Sequence, residues 1–168
     1  MDQLYFNSSD LSEFKLEPIV GPKSNSIVKG SAGLFIKALK SENMPTDLVG
    51  AKVNFEIREK GLLMYTSKSD KRWVFPLASK DLIAISLQGG EETYKAFPLS
   101  PMWLLLKLGM SIRVARKFKM KWDEYSASPC ILILDTQDLD LALESSGYNI
   151  YSLMHFVKQV ENLIANQD

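Results

Sequence analysis

The sequence predicts a mainly β, α+β domain: a bent antiparallel sheet, or partly open barrel, of about seven strands capped by a C-terminal amphipathic helix. Three observations carry this. Val53, Phe55 and Ile57 alternate with Asn54, Glu56 and Arg58, the period of a strand with one buried and one wet face. Polar clusters such as "SKSDK" separate short strand-like runs, too short to hide the helical crossovers that parallel strands need. Leu153, Phe156, Val157, Val160, Leu163 and Ile164 fall on one stripe of a helix, which must cover something.

Taken in order, residues 1–50 read as an N-terminal extension. "EPIVGPKSNS" has loop chemistry. Ala32, Phe35, Ile36 and Leu39 are spaced for a short helix, with Ser31 as its cap and Asn43 and Pro45 as its stop. The domain proper then spans 51–168. Leu62 to Thr66 and Arg72 to Leu77 form a hairpin, with Pro76 at a strand edge or end because it lacks an amide hydrogen. "DLIAISLQGG" is a further strand. "CILILDTQDLDLALES" is two strands about a polar turn at Asp135 to Asp138. The closing helix follows, with Asn149 as its N-cap.

The stretch "LGMSIRVARKFKMKW" alternates in the same way. Leu108, Met110, Ile112, Val114, Phe118, Met120 and Trp122 hold the even positions, and Arg116 alone breaks the series. This predicts strand structure with those side chains in a core, interrupted by a turn or bulge near Ala115-Arg116. At about 3.3 Å per residue an unbroken strand would be too long for a small sheet.

The run from "VNFEIREKGLLMYTSKSDKRWVFPLASKDLIAISL" to "CILILDTQDLDLALESSGYNIYSLMHFVKQVENLI" resembles the pleckstrin-homology-like superfold, which includes GRAM and bacterial PH domains. "FPLASKDLIAISL" looks like that fold's third strand region, and "LDLALES" with the helix like its final strand and plug. The resemblance covers Lys52 to Asn166 and implies a bent antiparallel barrel closed at one end by the helix. Many PH domains also carry a basic signature for phosphoinositides in the first hairpin loop. Here that loop offers Lys68, Lys71 and Arg72 as contacts, but Asp70 interrupts and the Lys/Arg-x-Arg spacing is absent.

Twenty basic and twenty acidic residues cancel, so no global attraction to nucleic acid is indicated. The charges are segregated, however. Residues 93–122 hold seven basic residues and no acid, whereas residues 123–168 hold eight acids and the single base Lys158. Lys107, Arg113, Arg116, Lys117, Lys119 and Lys121 form a candidate anion or lipid surface. Met102, Trp103 and Leu104, from "MWLLLKLG", are a candidate apolar contact.

Little points to catalysis, a metal or a cofactor, and none is expected. Ser12 and Lys15 match a Ser-x-x-Lys spacing in a region without other signals. His155, the one histidine, reads as a boundary or partly buried residue of the closing helix. Asp135, Asp138 and Asp140 lack the spacing of a calcium loop and read as a solvated turn. Cys130 reads as a buried, inert thiol, and Trp73, Trp103 and Trp122 as core or rim residues. No apolar run approaches the roughly 20 residues of a spanning helix, and the N-terminus carries no signal-peptide pattern. The leading expectation is a non-catalytic protein-interaction or scaffold domain in the cytoplasm. The alternatives are peripheral docking on an anionic membrane through the basic face, and weak nucleic-acid binding.

Overall fold

A computed structural model of the chain describes residues 6–7, 13–22, 33–41, 44, 46–95 and 97–166. The strands are β1 (Phe6–Asn7), β2 (Leu34–Lys40), β3 (Lys52–Arg58), β4 (Gly61–Lys68), β5 (Lys71–Ala78), β6 (Leu82–Gly89), β7 (Glu92–Tyr94), β8 (Tyr125–Ala127), β9 (Cys130–Thr136) and β10 (Asp140–Ser145). The helices are α1 (Glu13–Val20), α2 (Pro101–Lys107), α3 (Ile112–Ala115) and α4 (Ile150–Ala165). One antiparallel sheet runs β1-β5-β4-β3-β2-β10-β9-β6, and it is open rather than closed into a barrel. β7 and β8 make a separate two-stranded ladder.

Alternation produces the core. β9 and β10 bury every second residue, Leu132 and Leu134 on one and Leu141 and Leu143 on the other. Val53, Phe55, Leu62 and Met64 join them from β3 and β4. The stripe of α4 lies over this face through Leu153, Phe156 and Val160, with the Phe156 ring stacked on Phe55 at 5.4 Å between centroids. Across β4 and β5 the opposite face is covered too, where Leu63 and Val74 pack against Leu16 and Val20 of α1. Cys130 is buried, as its sequence position suggests, with its thiol toward the carbonyls of Ser145 and Ser146 at 3.7 and 3.6 Å.

Several expectations need correction. The helix anticipated over Ala32–Leu39 is strand β2; its Ser31, Ala32, Asn43 and Pro45 lie outside the described residues. Leu34 and Ile36 alternate inward, while Phe35 is half exposed. So short a helix is marginal by itself, whereas the strand finds backbone partners on both sides, in β10 and β3. Part of the supposed N-terminal extension therefore sits in the middle of the sheet. Glu17 to Val20, read as loop, are the second half of α1. Ser12 and the Lys15 side chain, half of the Ser-x-x-Lys pattern each, lie outside the described residues.

Asn149 stands at the start of α4 but does not cap it. Its side-chain amide donates to Ser145 Oγ at 2.9 Å. The preceding turn, Gly147–Asn149, is capped by Ser146 instead. His155 is exposed on the outer side of α4 rather than at a boundary.

Candidate functional site

β6 and β9 are paired neighbours, with Gly89 opposite Cys130, yet residues 90–129 lie between them in sequence. This excursion holds the whole basic segment. Its root is tight: Gly90 has φ +75°, and a Cβ there would stand 2.0 Å from Ile150 Cδ1. From the root rises the β7–β8 ladder, in which Thr93 and Ser126 share a side-chain hydrogen bond of 2.6 Å.

Beyond the ladder the chain is helical, not extended. Ser100 caps α2 by accepting from the Trp103 amide at 3.1 Å, and Pro101 occupies the first turn, where its missing amide costs nothing. Gly109, at φ +81°, ends the helix region. Ser111 opens α3, and at Arg116 the α-helix tightens into a 3-10 turn over Arg116–Phe118. The turn or bulge expected near Ala115-Arg116 presupposed a strand, and neither is found: the backbone stays helical there as α3 passes into the 3-10 turn.

The strand expected over 108–122 is absent, and so is its buried side. Leu108 is 78% exposed, Phe118 51% and Met120 71%; Met110 and Val114 are exposed as well, and the Trp122 side chain lies outside the described residues. The apolar alternation is real but marks no sheet face, because the excursion has only a small core. That core is Met102, Ala115 and Tyr125, with Leu105, Leu106 and Ile112 against it. Met102, anticipated as a contact, is thus a core residue. Trp103 is half-buried beneath the Lys107 ammonium, and Leu104 is exposed. Pro101, Leu104 and Leu108 fall on the solvent side of α2 and its end.

Arg116 joins the excursion to the rest of the molecule. Its guanidinium pairs with Glu92 of β7 at 3.2 Å, donates to Tyr125 Oη at 2.7 Å and reaches the Tyr148 carbonyl at 3.2 Å. It lies 5.0 to 5.9 Å from the ring centres of Tyr125, Tyr148 and Tyr151, within cation–π range. Glu92 also accepts from the hydroxyls of Tyr125 and, at 2.6 Å, Tyr151. Arg113 lies over Tyr151, while Lys119 bonds Tyr148 Oη at 2.9 Å. Hence Arg116, proposed from sequence as part of a surface, is a tie between excursion and α4. Arg113 and Lys119 stand beside it. Lys107, Lys117 and Lys121 are exposed, with Lys121 over the Phe97 ring at 4.1 Å.

In the first hairpin, Lys68 is committed. Its ammonium bonds the carbonyls of Asp47 and, at 2.9 Å, Val49, so it braces the loop. Lys71 and Arg72 are exposed. The partners of Arg116, namely Glu92, Tyr125, Tyr148 and Tyr151, escaped sequence reasoning. The one available signal was that Arg116 occupies the place where an apolar residue was due.

Burial and the hydrogen bond to Glu92 push the Tyr125 hydroxyl up to about 12 from its ordinary 10.0. Burial and Glu56 push Tyr65, in β4, equally to about 12. A folded-state value above the unfolded one means stability is intact below about pH 10 and lost as pH rises toward about 12. Urea midpoints measured through that range are expected to fall, and Tyr125→Phe to flatten part of the decline.

No helix among the described residues is long and apolar enough to cross a membrane, and no cluster of three metal-ligating side chains occurs among them. No family model, no curated protein and no solved structure matches the chain.

Proposed function

We propose that the chain is a non-catalytic, PH-like binding domain that docks on an anionic membrane surface through the excursion at 90–129. One observation carries the reading. Nine of the fifteen exposed large apolar side chains among the described residues fall between Tyr94 and Met120, inside the span of seven basic residues and no acid. Large apolar groups held in water beside cations are what a lipid interface takes up. Self-association through the same surface would set like charges against one another across a two-fold axis. The open antiparallel sheet and the closing helix packed over it support the PH-like reading of the scaffold.

Each cation near an anionic surface contributes about 1 kcal/mol, and each leucine buried in the interface about 1.5–3 kcal/mol. Several of both are needed for stable attachment, and this segment has several of both. The test is co-sedimentation with phosphatidylcholine vesicles with and without phosphatidylserine, across a salt series. Binding is expected with phosphatidylserine and to weaken as salt rises. Equal recovery with neutral and anionic vesicles at low salt would refute the reading and return the surface to an acidic protein partner.

A further inference from the structure

We infer that Leu99 is the side chain that enters the headgroup boundary of the bilayer, an inference that rests on the membrane reading above. Phe97, Pro98, Leu99 and Ser100 form a tight turn in which the Ser100 amide donates to the Phe97 carbonyl at 3.0 Å. Proline suits the second place of such a turn. The third place of a type II turn needs positive φ, which glycine or asparagine adopts easily. Leu99 holds it, at φ +67°. A leucine in that conformation is strained, because its Cβ crowds the following carbonyl.

Burial does not compensate for the strain, because Leu99 is 76% exposed. Two costs therefore coincide in one residue, and neither is offset within the molecule. Outliers of this kind point toward function. The turn is firmly held, since Ser100 is buried and its hydroxyl caps α2. Leu99 is thus presented outward from a fixed base. Phe97 beside it is 46% exposed and carries the Lys121 ammonium over its ring at 4.1 Å. An apolar tip flanked by a cation matches the layering of acyl chain and anionic headgroup.

The experiment compares the full-length protein with Leu99→Asn, which suits the turn and is polar. Vesicles of phosphatidylcholine and phosphatidylserine serve as the probe. Leu99→Asn is expected to lower the partition coefficient about 10-fold while the melting temperature stays level or rises. As a second readout, a nitrobenzoxadiazole dye on Leu99→Cys is expected to shift its emission to the blue on vesicles, the native Cys130 being buried. If the unaltered protein binds anionic vesicles but Leu99→Asn binds within about twofold and the dye does not shift, Leu99 stays outside the lipid and only this inference falls. If the unaltered protein does not bind them, the membrane reading falls and takes the inference with it.

Discussion

Arg116→Ala is expected to loosen the excursion at 90–129 while leaving the main sheet folded. The side chains of Arg116 and Glu92 are only 14% and 19% exposed, so both charges are largely withdrawn from water. Truncating the arginine leaves Glu92 with the hydroxyls of Tyr125 and Tyr151 but no countercharge. The cation over three tyrosine rings goes too. Removing one partner of such a pair costs about 2–4 kcal/mol, much of it the stranded carboxylate. Hydrogen exchange locates the loss: amides of β7, β8 and α2 should exchange faster, while those of β9 and β10 keep their protection. Arg116→Lys keeps the charge but loses the planar fork that serves Glu92, Tyr125 and Tyr148 at once, so an intermediate effect is expected. Equal loss of protection across sheet and excursion would contradict a tie confined to the excursion.

The second large effect concerns binding. Leu104 and Leu108 stand one helical turn apart on the outer side of α2, 45% and 78% exposed. Leu104→Ser with Leu108→Ser is expected to reduce partition into phosphatidylserine-containing vesicles about 100-fold, from roughly 1.5 kcal/mol per leucine. Because neither side chain belongs to a core cluster, the melting temperature should hardly change. A matched change in which Met102 is truncated should do the opposite, unsettling the small core it shares with Ala115 and Tyr125. If the leucine pair is replaced and vesicle binding persists undiminished, the outer side of α2 stays outside the lipid and attachment rests on the cations and the other exposed apolar side chains of the segment, Leu99 among them.

The parts of the fold legible in the sequence are those in which period and burial agree. Val53, Phe55 and Ile57 alternate because one side of β3 meets the core, and the stripe of α4 recurs because one side of the helix covers it. The excursion defeated the same reading for a physical reason. Leu108, Met110, Phe118 and Met120 are apolar without being buried, and inference from periodicity takes apolar residues to be inside. β2 failed differently: Leu34 and Phe35 are both apolar, so helical and strand periods fit equally well, and only its neighbours β3 and β10 decide. The basic character of the candidate surface was readable. That Arg116 and Lys68 are tied into the structure was not, because their partners lie 24 residues away at Glu92 and 21 and 19 residues away at Asp47 and Val49.

The pairing of Gly89 with Cys130 makes the excursion, in topological terms, an overgrown hairpin turn. The strands on either side already hold each other, and the excursion packs its own Met102–Ala115–Tyr125 nucleus apart from the main one. Selection can therefore act on the two nuclei almost independently. The outer surface at 94–120 is free to drift toward new ligands so long as Gly90, Glu92, Tyr125 and Arg116 continue to seat it. The scaffold and its tip are two packing units in one chain, joined at a socket.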